Sequence, residues 1–468
     1  MHRPHSPYRQ FVFDSYELSV KRHVIFLRYR LDEAVRFEEI LELPRELSLP
    51  SEVSPLLDRA LFYLHLIGGI SYFKTYLPPA MVIKSGSLDK KEAVFWDKLY
   101  TQGLGEFFYS NTIDFRGVVG FPYERKKTSR SDEIPDRERS PKATFPSGMT
   151  MNDEKILLPL GGGKDSIVSA ELLTRAGYDF DLFTLGDHPL FERIAKKLGK
   201  KRIVIRRTLS SQLFKLNASG ALNGHVPISA YIAFASVVVA ILRGYNHIVL
   251  SNEQSSNEGN VDFFGMTVNH QYSKSLEFER DFSKYIHDYL TPDIHYWSLL
   301  RPFSELQIAG LFARFPEHFS NFSSCNRNFK IAGRLKKRLF CGQCAKCAFV
   351  FALLAAFIDK KSLIKIFHKN LFADSKLLPV YKALLGITGV KPFDCVGTLD
   401  EVISAFDMVR EKGEFSNDFM MKFFEKKMVA KISDMTAIKK RAFPQNAPQN
   451  VPKLFQNILC TAYEILKK

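Results

Sequence analysis

The sequence predicts an α/β protein: a doubly wound parallel sheet, preceded by an α+β N-terminal domain and followed by a helical C-terminal region. Three observations lead to this prediction. From residue 155 onward, short apolar segments alternate with amphipathic segments, which is typical of parallel strands joined by helices. Residues 11–41 alternate between apolar and polar side chains, as the strands of a meander do. Residues 361–468 are basic and have helical periodicity.

The N-terminal region is predicted to fold as an α+β domain over residues 1–123. Within 11–41, "FVFDSYELSV" and "RHVIFLRYRLDEAVRFEE" alternate as a β-hairpin or meander would. The apolar segment 56–77 predicts a helix with an internal glycine pair, and a further helix is expected at 91–108. Residues 124–150 are rich in charge, Ser and Pro and have few apolar side chains, so we interpret them as a polar linker or flap.

The α/β domain is predicted to span residues 151–360 and to include a cluster of cysteines. Each predicted strand is a short apolar run, and several of the predicted helices end at a glycine. The predicted strands are 155–160, 180–185, 202–207 and 247–251, with a further strand near 294–300. The predicted helices are 166–177, 191–199, 227–244 and 304–314. Right-handed crossovers between such strands produce a parallel sheet.

Composition and charge restrict the class of protein. The 468-residue chain is long enough for two or three domains, and its 41 Phe against 2 Trp predict a core packed mainly by phenylalanine. The formal net charge of +16 favours an anionic partner, such as a nucleotide or a nucleic acid. The longest apolar runs, at 230–242 and 347–358, fall short of the roughly 18 residues that a membrane span requires. Because the N-terminus also lacks an apolar signal region, we expect a cytoplasmic protein without a membrane span.

The most informative segment is "LLPLGGGKDSIVSAELL" at 157–173, in which an apolar strand meets three glycines and then a helix. Glycines let the backbone approach a phosphate closely, and a helix N-terminus favours an anion. The segment differs from the P-loop of kinases, because Gly163 and Lys164 are followed by Asp165 rather than Ser or Thr. It also differs from G-x-G-x-x-G, whose last glycine would fall on Ser166. A glycine-rich turn without a ligand is the alternative interpretation.

The same segment resembles the PP-loop, S-G-G-x-D-S, of the ATP pyrophosphatase superfamily, with Gly161 in place of the usual serine. The resemblance implies an adenine nucleotide alpha hydrolase-like fold and cleavage of ATP between its α- and β-phosphates. Lys164 and Ser166 would then hold the leaving pyrophosphate, and Asp165 would act through Mg²⁺, because a bare carboxylate repels phosphate. Adenine would lie at the end of the second strand of the domain. The implied nucleotide-binding residues are Gly161, Gly162, Gly163, Lys164, Asp165, Ser166, Leu185 and Gly186.

Two further polar segments contain candidate substrate-binding residues. "SNEQSSNEGN" at 251–260 follows the fourth strand of the α/β domain, at the edge where open α/β sheets bind ligands, although an ordinary solvated loop is the alternative. "NHQYSKSLEFER" at 269–280 contains His270 and Lys274, either of which could act as a general base or anchor a carboxylate. His225 precedes a predicted helix, although a lone histidine is more often structural. The candidates are Asn252, Glu253, Ser255, Asn257, His270, Gln271 and Tyr272.

Three of the six cysteines lie in one block, "CGQCAKC" at 341–347, which has two overlapping C-x-x-C spacings. In a long chain expected in the cytoplasm, such clustering favours a metal site or catalysis over disulfides. With Cys325 as the fourth ligand, the block would suit tetrahedral structural zinc. Redox or acid/base chemistry is the alternative, because a pair of cysteines can epimerise an amino acid. We interpret Cys395 and Cys460 as packed thiols. The predicted zinc ligands are Cys325, Cys341, Cys344 and Cys347.

Most of the chain is similar to the ATP-dependent UDP-N-acetylmuramoyl-L-alanyl-L-glutamate epimerase (MurL) family. The similarity rests on "GGGKDS", "SNEQSSNEGN", "NHQYSKS", "CGQCAKC" and "KPFDCVGT", and on the N-terminal segments "FVFDSYELS" and "FLRYRLDEAVRFEE". It implies that adenylation of the terminal glutamate carboxylate acidifies the Cα proton and releases pyrophosphate. A base then removes that proton, a proton returns on the other face, and hydrolysis releases AMP and D-glutamate. The implied partner, a UDP-linked muramoyl dipeptide used in peptidoglycan synthesis, is anionic, in keeping with the net charge.

Other functions stay open at this point. The phosphate-binding turn and cysteine block also resemble the 7-cyano-7-deazaguanine synthases, which would imply a ligase acting on a purine or deazapurine base or on tRNA. Those enzymes lack a long N-terminal region, and no RNA-binding module is recognisable here, so nucleic acid is not the expected partner. A nucleotide sensor without catalysis is disfavoured because Lys164 and Asp165 are both present. The oligomeric state cannot be predicted from the sequence. Catalytic roles are assigned to Lys164, Asp165, His270 and Lys274, and the epimerising base is left open among His270, Lys274, Cys344 and Cys347.

Overall fold

One large sheet and a small hairpin contain the strands of the described chain. The computed structural model describes residues 5–124, 154–328, 338–389, 391–445 and 447–467, so nearly all of the predicted linker 124–150 lies outside the described residues. The strands are β1 (Gln10–Ser19), β2 (Val24–Leu31), β3 (Val35–Glu42), β4 (Ala80–Ile83), β5 (Ile156–Pro159), β6 (Phe180–Leu185), β7 (Arg202–Thr208), β8 (His247–Leu250), β9 (Val261–Phe263), β10 (Met266–Val268) and β11 (His295–Ser298). Nine of them form a sheet in the order β11-β8-β5-β6-β7-β3-β2-β1-β4, and β9 pairs with β10.

Helices cover both faces of this sheet. In the first 300 residues they are α1 (Pro55–Phe73), α2 (Lys90–Gly103), α3 (Gly105–Ser110), α4 (Lys164–Arg175), α5 (Pro189–Leu198), α6 (Ser211–Ala218), α7 (Ile228–Arg243) and α8 (Leu276–Tyr289). The remaining helices are α9 (Glu305–Phe312), α10 (Ala345–Ala355), α11 (Lys360–Phe367), α12 (Leu378–Leu384), α13 (Leu399–Lys412), α14 (Phe419–Lys427), α15 (Met435–Ala442) and α16 (Gln456–Lys467). The predicted helical C-terminal region is therefore confirmed.

The sheet separates two apolar cores. One contains α4, α5 and the C-terminal helices, and the other contains the N-terminal meander with α1 and α7. Side chains of β5 alternate between them, with Ile156 and Leu158 in the first core and Leu157 in the second. Burial on both faces explains why the strands of this half are continuous apolar runs in the sequence.

The parallel half of the sheet confirms the predicted α/β class. β5 pairs in parallel with β6 and β8, β6 pairs with β7, and β8 pairs with β11. All five strands predicted for this half are present, with small differences at their ends. Because these strands run in one direction, the loops after β5, β6 and β8 meet at one edge of the sheet. The glycine-rich turn at 161–166 lies at this edge.

The N-terminal meander extends the same sheet. β1, β2 and β3 pair antiparallel in sequence order, which confirms the predicted meander, and β3 pairs antiparallel with the free edge of β7. Buried Glu39 of β3 stabilises this junction, because its carboxylate accepts hydrogen bonds from Arg207 of β7 at 2.8 Å, Tyr72 of α1 at 2.9 Å and Tyr231 of α7 at 2.6 Å. The sheet is thus mixed, with its antiparallel pairs on the N-terminal side.

Residues 252–275, which the sequence leaves irregular, contain the β9–β10 hairpin. Phe264 (φ 49°) and Gly265 (φ 78°) form its tight turn. Each strand has only three residues, which is too short for a reliable alternation of apolar and polar side chains. Among the helices of the described ranges, none combines the length and apolar character needed to cross a membrane.

Candidate active site

The glycine-rich turn joins β5 to α4 at the carboxyl edge of the parallel strands. Gly162 has a φ of +77°, and a Cβ atom there would lie 2.9 Å from Phe191, so the turn requires glycine at this position. Gly163 is the N-cap residue of α4, and no side chain caps the helix. The N–H groups of the first turn therefore retain their capacity to bind an anion. An added Cβ at Gly161 would meet none of the described atoms within 4 Å, so a serine would also fit there.

A cavity of about 250 Å³ lies beside this turn, among the loops that follow β5, β6 and β8. Several residues predicted from the sequence line it: Gly161, Gly163, Asp165, Ser166, Leu185, Asn252 and Lys274. Residues that the sequence did not single out for this site complete the polar lining: Ser229, Ser251, Ser323, Ser324, Asn326, Lys346 and Cys395. Phe183, Ile232, Leu250 and Tyr296 add apolar surface. The cavity thus offers a polar region and an apolar region, as a ligand with a phosphate group and a planar base would require.

Two serine hydroxyls in the cavity wall point to a polar ligand. The Oγ atoms of Ser251 and Ser324 are buried, and neither has a hydrogen-bond partner within the described part of the chain. The backbone N–H of Ser323 donates to the carbonyl of Gly162 at 2.8 Å, which attaches this segment to the turn. A Cβ atom added to Gly163 would lie 3.1 Å from Ser324 Oγ. Because buried hydroxyls usually have partners, these two fit a phosphate bound at the turn.

Lys164 lies behind the turn, in a buried network of ion pairs. Its fully buried ammonium contacts the carboxylates of Asp165 and Glu305. Lys346 donates to the other oxygen of Glu305 at 3.0 Å, and the backbone N–H of Glu305 donates to Glu401 at 2.7 Å. Burial disfavours a charged Glu305, but the two ammonium groups outweigh it and lower the pKa of Glu305 to about 2. Lys346 and Asp165 line the cavity, so the network places one positive and one negative charge beside the turn.

Lys274 contacts Cys395 in the cavity wall. The Lys274 Nζ lies 3.4 Å from Cys395 Sγ, and both residues line the cavity beside the glycine-rich turn. Burial raises the pKa of Cys395, but Lys274, His270 and Lys346 outweigh it and lower that pKa to about 6. The interpretation of Cys395 as a packed thiol is therefore wrong, since its sulfur lies in the cavity between cationic groups.

His270 connects this sulfur to the half-buried carboxylate of Glu106. Its Nδ1 atom contacts Glu106 Oε2, and the ring is within hydrogen-bonding reach of Cys395. Burial disfavours the imidazolium, but Cys395 and Glu106 outweigh it and raise the pKa of His270 to about 9. His225 also contacts Glu106 at 3.2 Å, but burial and then the nearby His270 lower the pKa of His225 to about 4. One histidine is thus charged at neutral pH and the other neutral.

The loop 251–260 divides its polar side chains among the cavity, the protein interior and a separate surface pocket. Asn252 lines the cavity, whereas Asn257 Oδ1 accepts a hydrogen bond from the backbone N–H of Leu276 at 2.7 Å and helps to begin α8. Ser255 and Asn257 line a separate surface pocket. Glu253 is buried, and burial followed by the charge of Glu305 raises its pKa.

The segment 269–274 brings Lys274 and His270 to the site and buries Gln271, Tyr272 and Ser273. Gln271 is buried with a side-chain oxygen that has no partner in the described ranges. Tyr272 is also buried, with its ring centroid 6.1 Å from that of Phe278. Neither residue is part of the cavity lining, so substrate binding by them stays a prediction.

A buried arginine holds both of these loops in place. Arg301 follows β11 and forms an ion pair with Glu279 of α8 at 2.8 Å. The same guanidinium donates to the backbone carbonyls of Glu253 at 2.6 Å and Lys274 at 2.5 Å, and to Ser256 Oγ at 2.8 Å. The position of Lys274 therefore depends on a residue that does not line the cavity.

The cysteine block forms a compact cluster next to the cavity wall. The sulfur atoms of Cys325, Cys341, Cys344 and Cys347 all lie within 4.8 Å of one another, and none of these residues is in a disulfide. The Sγ atoms of Cys341 and Cys347 are 3.7 Å apart. A tetrahedron with Zn–S bonds of about 2.3 Å has edges of about 3.8 Å, so the geometry fits zinc.

Backbone groups and the chain path support a structural role for this cluster. The N–H groups of Gln343 and Cys347 each donate to a cysteine sulfur, at 3.4 Å in both cases. In the sequence, Ser324 and Asn326 flank Cys325, and Lys346 lies between Cys344 and Cys347. Ser324, Asn326 and Lys346 all line the cavity. None of the four cysteines is among the described residues that line the cavity. The cluster therefore lies behind the cavity wall and supports it.

Cys395, Lys346 and Glu106 are among the site residues that escaped prediction, because their partners are distant in sequence. Cys395 lies 121 residues from Lys274, and Lys346 lies 41 residues from Glu305. Glu106 lies 164 residues from His270. The one available signal was the segment "KPFDCVGT", which contains Cys395 and was part of the family resemblance.

Two family models match this chain. A model described as the MurL N-terminal domain matches residues 2–299, and a model described as the MurL C-terminal domain matches residues 321–439. Together they include every residue of the cavity described above. The first model also extends over the N-terminal meander and the parallel half of the sheet without a break.

Three curated relatives, all named UDP-N-acetyl-alpha-D-muramoyl-L-alanyl-L-glutamate epimerase, are similar over most of the chain. The protein of Xanthomonas oryzae pv. oryzae is 36% identical over 87% of this chain and 87% of its own length. That of Salinispora tropica is 35% identical over 86% of this chain and 85% of its own. That of a Micromonospora strain is 34% identical over 86% of this chain and 88% of its own.

Proposed function

The chain belongs to the MurL family, and on that premise we propose that it converts the terminal L-glutamate of UDP-N-acetyl-alpha-D-muramoyl-L-alanyl-L-glutamate to D-glutamate for peptidoglycan synthesis. The relatives are named for epimerisation of this substrate. The observation that carries the proposal is the shared cavity, in which a phosphate-binding turn faces the basic and thiol groups of Lys274 and Cys395. The match to residues 2–299 also accounts for the long N-terminal region, which the deazaguanine synthases lack.

We further propose that ATP drives the reaction and is cleaved between its α- and β-phosphates. Three features support this: the order Gly-Gly-Gly-Lys-Asp-Ser at 161–166, the uncapped N-terminus of α4, and the unpartnered hydroxyls of Ser251 and Ser324. The doubly wound PP-loop arrangement is part of the proposal. It agrees with helices on both faces of the sheet and with a turn that follows a strand in the parallel half.

The low acidity of the Cα proton of glutamate explains why the reaction would use ATP. The α-proton of a free glutamate is not acidic, because its removal places a second negative charge beside a carboxylate. Transfer of AMP to that carboxylate removes the charge and lets the acyl group accept the electron pair from Cα. Hydrolysis after the proton has been exchanged gives AMP and the epimerised product, so ATP hydrolysis favours completion.

The charged residues of the site suit this use of ATP. Asp165 would bind Mg²⁺, which neutralises phosphate oxygens that a bare carboxylate would repel. Lys346 lines the cavity and places a positive charge near the leaving pyrophosphate. Lys164, assigned to the pyrophosphate from the sequence, would act from behind the turn by orienting Asp165 and Glu305. Adenine would contact the apolar lining near Leu185, with Gly186 in the following loop.

We propose structural zinc at Cys325, Cys341, Cys344 and Cys347. The compact cluster of sulfur atoms and the backbone donors to two of them support a tetrahedral metal over paired acid/base cysteines. The metal would hold the segment around Ser324 against the start of α10, and so keep two parts of the cavity wall together. The epimerising base is then sought among the residues that line the cavity.

The proposed function is tested by incubating the protein with UDP-N-acetylmuramoyl-L-alanyl-L-glutamate, ATP and Mg²⁺ in deuterated water. We expect AMP and pyrophosphate in amounts that match the product, with deuterium at Cα of the glutamate. Product formation without AMP would contradict ATP coupling, and the absence of any deuterium at Cα would contradict epimerisation.

Asp165→Asn provides the variant for the nucleotide site, with Asp262→Asn as its matched control. Asp165 lines the cavity, whereas Asp262 is an exposed residue of β9. Loss of the proposed Mg²⁺ ligand should lower pyrophosphate release by about 10²-fold or more, the scale expected when one electrostatic contact to a transition state is removed. The control should react at the rate of the unmodified protein.

A further inference from the structure

Cys395 occupies a position unlike that of the other cysteines. Four cysteines form the compact cluster, and Cys460 is exposed on α16, whereas Cys395 lines the cavity that contains the phosphate-binding turn. Its loop, between α12 and α13, approaches this cavity from the C-terminal region, and the turn approaches it from the parallel strands. The thiol thus lines the same cavity as the turn at which we propose that ATP binds.

The side chains around Cys395 favour a thiolate. Lys274 Nζ is 3.4 Å from the sulfur, and His270 lies within hydrogen-bonding reach. Glu106 contacts the other side of the imidazole and orients it. Two cations therefore face one half-buried sulfur, which is the environment that produces reactive cysteines. Glu106, His225 and His270 lie close to one another, and Lys74 and Lys274 place positive charge near His225.

We propose that the thiolate of Cys395 is the base that removes the Cα proton of the activated glutamate. Lys274 and His270 are the positioning residues that keep the sulfur ionised and directed into the cavity. This inference rests on the proposed function and names the base for it.

The alternatives offered by the sequence are less suited to this step. Burial opposes the charge on Lys274, but Cys395 and Glu253 outweigh it and raise its pKa, so its ammonium has no lone pair to accept a proton. The pKa of His270 is raised to about 9 against the effect of burial by Cys395 and Glu106, so it is protonated at neutral pH. Cys344 and Cys347 belong to the cluster behind the cavity wall.

The step balances without an external oxidant or reductant. The Cα–H bond breaks, the proton passes to sulfur, and the electron pair moves from Cα into the acyl carbonyl. Cys395 becomes a neutral thiol and the substrate an enolate. A proton from solvent then reaches the opposite face of Cα while the carbonyl re-forms, and the thiol returns its proton to solvent.

Cys395→Ser tests the proposal in the full-length protein, with Cys460→Ser as the matched control. Two reactions are measured with the UDP-muramoyl dipeptide: isotope exchange between pyrophosphate and ATP, which reports adenylation, and exchange of the Cα proton with deuterated water. General base catalysis contributes about 10²–10⁴-fold, so Cα exchange should fall by that factor in Cys395→Ser while pyrophosphate exchange persists. Both reactions should persist in Cys460→Ser.

Two outcomes would overturn the assignment. Cα exchange at the unmodified rate in Cys395→Ser would show that another group is the base. Loss of both exchanges in a variant with an unaltered circular dichroism spectrum would make Cys395 a binding residue instead. Failure of the proposed function can be distinguished from failure of the Cys395 assignment. In the first case, the unmodified protein itself would show no pyrophosphate exchange with this substrate.

A second measurement tests the proposal even if Cys395→Ser does not fold. Methyl methanethiosulfonate adds a small disulfide-linked methyl group to accessible thiols of the unmodified protein, and peptide mass spectrometry locates it. Modification of Cys395 should abolish Cα exchange, dithiothreitol should restore it, and bound ATP and substrate should slow the labelling. Full Cα exchange in protein modified at Cys395 would overturn the proposal.

Discussion

The ion pair of Lys274 and Cys395 shows how a single charge can set the pH range of the reaction. Burial alone would raise the pKa of the thiol, and Lys274 is the strongest of the charges that lower it to about 6. Removing this charge in Lys274→Met should raise the pKa of Cys395. An opposite charge at such a distance shifts a pKa by about 1–3, so the acid limb of the rate of Cα exchange should move up by about 1–3 pH units.

The control for this variant is Lys284→Met. Lys284 is an exposed residue of α8 that pairs with Asp288, so its replacement should leave the pH profile of Cα exchange unchanged. His270 and Lys346 also face Cys395 and remain in both variants. An acid limb at the same pH in Lys274→Met and in the unmodified protein would exclude the thiolate as the titrating base.

Glu305 shows the reverse case, a buried carboxylate held ionised by two lysines. Its pKa of about 2 lies below the ordinary value of 4.5 because Lys164 and Lys346 outweigh the effect of burial. Its contribution to stability is therefore complete above pH 4.5 and is lost as the pH falls toward 2. Glu305→Gln removes the carboxylate that both buried ammonium groups contact and leaves Lys164 only its contact with Asp165, so unfolding by urea at pH 7 should show a loss of about 3–5 kcal/mol.

Glu411→Gln provides the surface comparison for this loss. Glu411 is paired with Lys439 and its side chain is 54% exposed, so its loss should cost about 0–1 kcal/mol. Equal costs for the two variants would mean that the Glu305 network does not depend on burial. The difference should shrink when both are unfolded at acidic pH, because Glu305 of the reference protein then becomes protonated.

The role of the turn in the site could be predicted from the sequence because a local motif indicates it. The rest of the site could not be predicted in this way. Gly163, Asp165 and Ser166 line the cavity as the order of the motif indicates. Lys164 is buried instead, because the carboxylates of Asp165 and Glu305 attract its ammonium away from the cavity. Glu305 is 141 residues away, and no local pattern records that attraction.

At the scale of elements, the sequence predicts strands well and their partners poorly. β6 occupies Phe180–Leu185 as predicted, because four of its six residues are apolar and are followed by a glycine. The pairing of β3 with β7 has no such signal, because it joins residues 40–42 to residues 206–208. It depends on Glu39, whose partners lie on separate elements, and on the edge that the parallel half leaves free.

The cysteine cluster is an element whose role can be tested by removing one ligand. Cys341→Ser breaks a four-thiolate site, so we expect zinc to be lost from the purified protein and the free energy of unfolding to fall. Because Lys346 and Ser324 lie beside two sides of the cluster, ATP should also bind more weakly. Elemental analysis, urea unfolding and equilibrium binding of ATP measure these effects.

Cys460→Ser is again the matched control, since Cys460 is exposed and separate from the cluster. It should retain zinc, stability and ATP affinity. If Cys341→Ser retains its zinc, the four sulfur atoms are not one tetrahedral site. If both the variant and the reference protein contain no zinc after purification in zinc-supplemented medium, the cluster has no metal role.

At the scale of the whole molecule, the continuous sheet links the predicted N-terminal domain to the α/β domain. Glu39 receives hydrogen bonds from Arg207, Tyr72 and Tyr231, which belong to both sides of the predicted boundary. Trp96 of α2 stacks on Phe234 of α7 with ring centroids 5.0 Å apart. Separation of the two regions would expose these apolar and charged groups together, so we expect the described fold to unfold as one cooperative unit.

The two tryptophans allow this expectation to be tested. Trp96 lies in the core of the N-terminal meander, and Trp297 of β11 lies in the other core, 4.7 Å from Phe455 between ring centroids. Trp297→Phe leaves Trp96 as the only tryptophan, and Trp96→Phe leaves Trp297. Within each variant, tryptophan fluorescence and far-ultraviolet circular dichroism should give the same urea midpoint, because each core shares the sheet with the other. A fluorescence transition that precedes the loss of helix in either variant would establish independent units, and would favour the predicted boundary near residue 123 as a true division of the fold.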